Sequence, residues 1–169
     1  DYNNPFVTQN RFATAVLGEE SELFTGIQKE EDGQKTSLLI PAGENPFIYV
    51  TSYMEAIEVE SVNLETGESS TKEYDDLKFK RILSLGVTEY DRKIYISSAD
   101  DSVDKVRFYA YQMQENIWKD ICRTFSSQPM EILEFSDTKI EAEADVTEAG
   151  VLFTSIPYEA GWTVKVNGQ

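Results

Sequence analysis

The stretch Lys105-Val-Arg-Phe-Tyr-Ala-Tyr111, with Ile117-Trp-Lys-Asp-Ile-Cys-Arg-Thr-Phe125 close behind it, carries both of the periods from which this chain is built. In the first part Val106, Phe108 and Ala110 alternate with Arg107, Tyr109 and Tyr111. A period of two marks a strand with one face buried. The period then changes. Ile117, Ile121 and Phe125 recur every four residues, flanked by Trp118 and Cys122, and so lay an apolar stripe along an amphipathic helix near 113–125. Ser126 to Pro129 closes that helix, because the residue before a proline disfavours helical backbone. Cys122, on the apolar side, reads as a small buried hydrophobe.

Upstream, the two-residue period dominates. Thr36 to Ile40, Phe47 to Tyr53, Ile57 to Leu64, Ser70 to Tyr74, Lys78 to Leu85 and Lys93 to Ser97 read as strands, with the turn Glu65-Thr-Gly-Glu68 joining the third to the fourth. Lys29 to Lys35 is charged and without periodicity, and is predicted to be an exposed loop. The N-terminus is different. Phe6, Asn10, Ala13 and Leu17 form a helical stripe stopped by Gly18, and a second short turn capped by Ser21 is expected before Phe24.

Downstream, Glu131 to Phe135 is a short strand and Ile140 to Val146 alternates throughout, its carboxylates Glu141, Glu143 and Asp145 on the outer face. Val151 to Ile156 is apolar on both faces, which predicts a central strand. Trp162 to Val166 follows as another, and Asn167-Gly168 is a tight hairpin turn after which the chain stops, so the sequence reads as a piece cut from something larger. About ten short strands with one amphipathic helix predict a mainly β (α+β) fold: an antiparallel β-sandwich, jelly-roll-like, with a helical N-terminal segment. The expected organisation is one domain over 1–169, with 1–27 helical and 36–169 the sandwich with its inserted helix.

Length and charge narrow the function. A chain of 169 residues suffices for one substantial core. Its 15 basic and 31 acidic residues leave a formal charge of −16, opposite to what a nucleic-acid partner needs, and an anionic membrane surface repels it as well. There is no apolar run of 18 residues, no Met start and no leader, so the chain is read as an excised or processed soluble piece. The single cysteine excludes an internal disulfide.

Histidine is absent, which removes the commonest general base and the usual zinc ligand. No Gly-rich phosphate loop occurs, and no cofactor is predicted. Asp100, Asp101 and Asp104 could offer oxygen ligands to Ca²⁺ from a loop, yet the glycine and terminal glutamate of an EF-hand are missing, so an acidic turn is the simpler reading. Glycoside hydrolysis would need two carboxylates at a fixed separation, one of them buried, and spacing in sequence does not show that. Aromatic side chains are more informative: nine Tyr, nine Phe and two Trp exceed what a small core requires. Stacking of such rings on sugars makes Tyr158 and Trp162, which flank a turn, the candidate ligand-binding residues, against the alternative that Trp162 is core and Tyr158 ties the turn to the backbone.

The C-terminal motif Ser155-Ile-Pro-Tyr-x-x-Gly-Trp-x-Val-x-Val-Asn-Gly168 resembles the signature near the end of the extracellular region of YfhO-type bacterial membrane proteins. Asn4-Pro-Phe-x-x-Gln-Asn-x-Phe12 with Leu17-Gly18, and Glu115 to Phe125 followed by Phe135-Ser-Asp-Thr138, extend the resemblance over nearly the whole chain. Asn167-Gly168 stands where the family usually has Asp-Gly; both pairs favour the same turn. The resemblance implies a polytopic, GT-C-like protein that moves a lipid-linked sugar onto a cell-envelope polymer, such as teichoic or lipoteichoic acid. This chain would be its non-catalytic domain on the extracellular face, its partners the transmembrane domain and cell-envelope glycan or lipid-linked sugar. The catalytic carboxylate would lie elsewhere. The alternative is a free-standing carbohydrate-binding or adhesin module, and a glycosidase is the third reading.

Overall fold

The structure is a computed structural model that describes residues 4–32, 35–79, 81–99, 105–127, 129–146, 150–154, 156 and 159–168. The chain forms two compact units, Asp1–Ser126 and Ser127–Gln169.

The first unit is an antiparallel β-sandwich. One sheet has the order β1-β9-β4-β7, from Phe24–Gly26, Phe108–Met113, Pro46–Val50 and Ile82–Ser84. The other runs β2-β3-β8-β5-β6, from Lys29–Asp32, Lys35–Ile40, Arg92–Ser98, Ile57–Asn63 and Ser69–Tyr74. In chain order the strands step back and forth between the sheets: β1, then β2 and β3 opposite, β4 back, β5 and β6 opposite, β7 back, β8 opposite, β9 back. Setting aside the added edge strand β2, this is the eight-strand wrapping of a jelly roll.

Alternation explains the core. On β4, Ile48 and Val50 are buried, and on β8 so are Ile94 and Ile96; each set meets Leu38, Ile57, Phe108 and Ala110 from its neighbours and from the facing sheet. The intervening residues of β8, Lys93 and Tyr95, face outward, where Lys93 and Lys35 both approach the Tyr95 ring. The charged segment expected as a loop begins as β2, pairing Lys29 with Leu38 and Asp32 with Lys35. Its lack of periodicity reflects an edge position, where both faces are largely solvated.

Helix α1, Pro5–Leu17, is capped by Asn4, whose side chain accepts from the Phe6 N–H, and stopped by Gly18 at φ 75°. Proline at the first helical position and glycine just past the last match what these ends require. No second helical turn follows. Phe24–Gly26 is instead β1, whose backbone pairs with β9 from Phe24↔Met113 to Gly26↔Tyr111. Helix α2, Glu115–Ser127, buries Ile121 against Ala13 and Leu23, with Ile117 and Met113 at the margin. Cys122, expected inside, is exposed, because Ile117 and Ile121 alone face that small core.

Among its described residues the second unit contains one hairpin, β10 (Glu131–Phe135) with β11 (Ile140–Glu143). β11 is shorter than the alternation predicted, and Val146 is exposed. The expected strands Val151 to Ile156 and Trp162 to Val166 are not formed among the described residues: Val151, Leu152, Phe153, Val164 and Val166 are exposed. The final turn does form, with Asn167 at φ 52° and Gly168 at φ 78°.

Candidate functional site

The site is assembled in the first unit, where the β3–β4 loop, the β7–β8 loop and the β9–α2 junction meet. Ala42 to Asn45, Val87, Gln112 to Asn116 and Trp118 line a groove of about 690 Å³, within the range of about 300–1,000 Å³ typical of small-molecule sites.

Its walls are fixed by backbone. Gly43, at φ 79°, donates to the Thr88 carbonyl at 2.8 Å, and the Ala42 N–H donates to Asp91 Oδ1 at 2.8 Å. Those bonds hold the β3–β4 loop on the β7–β8 loop. At the other wall, the Met113 N–H donates to the Asn45 carbonyl at 3.2 Å and the Gln114 N–H to Leu23 at 2.8 Å. Gln114 Nε2 reaches Thr25 Oγ1 at 2.8 Å, and the Gln114 carbonyl accepts from the Trp118 N–H at 3.0 Å, starting the helix. Strand and helix are therefore joined without slack.

What the groove offers is one large ring and several amides. Trp118 is 47% exposed although α2 is amphipathic. It lies beside the Ile117–Ile121 row that enters the core, so its indole is left on the groove side. Asn45 and Asn116 make no side-chain hydrogen bond to another described residue. Each amide offers two donors and an acceptor. Carboxylates come from Glu44 and Glu115, the latter bridged to Lys119 at 2.8 Å. Such a set binds hydroxylated ligands by hydrogen bonds and a flat apolar face by stacking.

A smaller hollow of about 390 Å³ is bounded by Glu55, Glu73, Asp75, Asp76 and Lys78. Lys78 donates to Glu55 at 2.7 Å, which raises its pKa above the usual lysine value. Among the described residues no group of three carboxylate, Cys or His side chains is placed to hold a metal.

Of the residues singled out by sequence, Trp162 lies in the second unit, 38% exposed, its N–H donating to the Glu159 carbonyl at 3.0 Å in a turn. Tyr158, and the loop residues Asp100, Asp101 and Asp104, lie outside the described residues. The Trp118 groove escaped the sequence reading because its walls come from positions about 40 and 70 residues apart. One local signal was available: Gln112, Gln114 and Asn116 crowd the step from strand to helix, where a core-facing segment would be apolar.

Comparison with known families decides the class. The family described as bacterial membrane protein YfhO matches residues 3–169. The chain belongs to the YfhO family. No curated protein and no solved structure matches it. YfhO proteins are bacterial membrane proteins, while no helix among the described residues of this YfhO chain is long and apolar enough to cross a membrane. The N-terminal motif acquires a structural meaning: Asn4 and Pro5 start α1, Phe6 joins an aromatic cluster, and Gly18 ends the helix.

Proposed function

We propose that this chain is a non-catalytic, sugar-holding domain of a YfhO-family membrane protein, placed on the extracellular face of the bacterial membrane. There it would present a cell-envelope glycan or lipid-linked sugar to an active site formed by membrane-embedded parts. The observation that carries the reading is the exposed Trp118 indole in a groove lined by amides. Aromatic faces stack on the C–H faces of sugars, and amides match vicinal hydroxyls. The jelly-roll sandwich supplies rigid loops for such a site.

The family match supports a membrane setting and weighs against the free-standing adhesin or carbohydrate-binding module. Teichoic or lipoteichoic acid glycosylation is the parent role in this reading, with Tyr158 and Trp162 as a second proposed contact in the C-terminal unit. The test is an NMR titration of the 169-residue chain with chitotriose and maltotriose. Shifts confined to the Trp118 indole and the Asn45 and Asn116 amides, lost in Trp118→Ala, are the expected result. Sugar transfer by the isolated chain would overturn the non-catalytic assignment, and protection of an epitope tag in intact cells would overturn the extracellular one.

A further inference from the structure

We infer that the Trp118 groove accepts sugar residues that carry no negative charge and turns away phosphate-bearing polymer, an inference that rests on the sugar-holding reading above. Phosphate is recognised by arginine forks, lysines or the free N–H groups of a helix N-terminus. The groove holds the third of these, the first turn of α2, and there Glu115 already stands. Its negative charge, carried in the first turn, opposes an incoming phosphate at that end of the helix. Glu44 adds a second carboxylate to the lining, and neither lysine nor arginine is among the lining residues.

The neighbouring cations do not make up for this. Lys119, one turn along α2, is held by Glu115. Elsewhere on the unit Lys35, Lys78, Lys93 and Lys105 are bound to Glu60, Glu55, Glu30 and Glu31, and Arg92 is buried. Residues 1–126 carry 23 acidic against 13 basic side chains, a formal charge of −10. A polyanionic backbone therefore meets like charge both at long range and at the groove. A neutral sugar ring meets Trp118, Asn45 and Asn116, whose interactions do not depend on charge. The domain would then grip the sugar of its ligand and leave any phosphate to other parts of the protein.

Three probes test this on the whole chain by calorimetry: chitotriose, N-acetylglucosamine 1-phosphate and poly(glycerol phosphate). The expected result is binding of chitotriose that changes less than twofold between 50 and 500 mM NaCl, is weakened at least tenfold by Trp118→Ala, and has no counterpart for poly(glycerol phosphate). The double variant Glu44→Gln/Glu115→Gln is expected to raise affinity for N-acetylglucosamine 1-phosphate at least fivefold, a gain that a purely structural role for the two carboxylates would not give. Wild-type binding of poly(glycerol phosphate) at this groove, falling steeply with salt, would overturn the charge selection while leaving a glycan site in place. Unchanged phosphate affinity in the double variant would overturn the role of Glu44 and Glu115. Failure of every probe to bind would overturn the sugar-holding reading itself.

Discussion

At the scale of residues, two polar side chains do work that backbone usually does. Asn10 Nδ2 donates to the Phe24 carbonyl at 2.8 Å while its Oδ1 accepts from the Phe24 N–H at 2.8 Å, so one amide closes the outer edge of β1 as a neighbouring strand would. Replacing it by alanine strands both groups beneath α1, and Asn10→Ala is expected to cost about 2 kcal/mol in denaturant unfolding. Asn10→Asp should not rescue it, because a carboxylate would face the Phe24 carbonyl. Arg92 is the second. Buried at 5% exposure, it donates to the Leu85 and Gly86 carbonyls, and burial pulls its pKa below the usual arginine value. Its Nε has no partner among the described residues, so the desolvation cost is only partly offset. Arg92→Leu keeps most of the volume but frees two carbonyls; a loss of about 2 kcal/mol is expected, read as a lower thermal midpoint by roughly 5 °C.

At the scale of elements, the β10–β11 hairpin sets like charges opposite each other: Glu131 pairs with Glu143 and Glu134 with Glu141. Facing carboxylates destabilise a ladder. Lys139 answers one pair by bridging Glu134 at 2.7 Å and Glu141 at 2.6 Å. That bridge lowers the Glu141 pKa from 4.5 and raises that of Lys139 from 10.5. A lowered carboxylate pKa gives stability that is present above 4.5 and lost as pH falls through the lowered value; a raised lysine pKa gives stability present below 10.5 and lost as pH climbs past the raised one. Amide-exchange protection at Ile132 and Ala142 should therefore hold across neutral pH and decline at both extremes, and Lys139→Met should abolish both declines. The same element shows what sequence conveys. Alternation on β4, β8 and β9 was legible because a solid core lies on one side and water on the other. Val151 to Ile156 was misread for the converse reason: apolar residues on both faces predict a central strand only if two neighbours exist to pair with it, and periodicity carries no information about neighbours. The Trp118 groove was illegible for a related cause, since a concavity made by three loops has no period at all.

At the scale of the whole chain, hydrophobic burial is distributed very unevenly. Among the described residues every buried apolar side chain lies between Phe6 and Ile121: Phe6 in its aromatic cluster, the others in the core between the sheets or in the small cluster of Ala13, Leu23 and Ile121. Both sheets of the jelly roll and α1 lie wholly within the first unit, and α2 ends one residue beyond it. Among the described residues of the second unit no apolar side chain is buried: Phe135, Val151 and Val164 are exposed, and Met130, Ile140 and Ala142 are half-buried. Cooperative unfolding follows burial, and a segment of some forty residues with no buried apolar side chain among those described is at the lower limit of size for chains that fold unaided. A fragment of residues 1–127, which keeps the whole of α2, should therefore unfold in one transition within about 2 °C of the full chain's midpoint, since the energy of that transition scales with apolar area removed from water. It should also keep the chitotriose response at Trp118. Residues 128–169 alone should show no cooperative transition by circular dichroism. A fragment 1–127 that melts far below the full chain would mean that the sandwich depends on the C-terminal segment for stability that its own two cores do not account for.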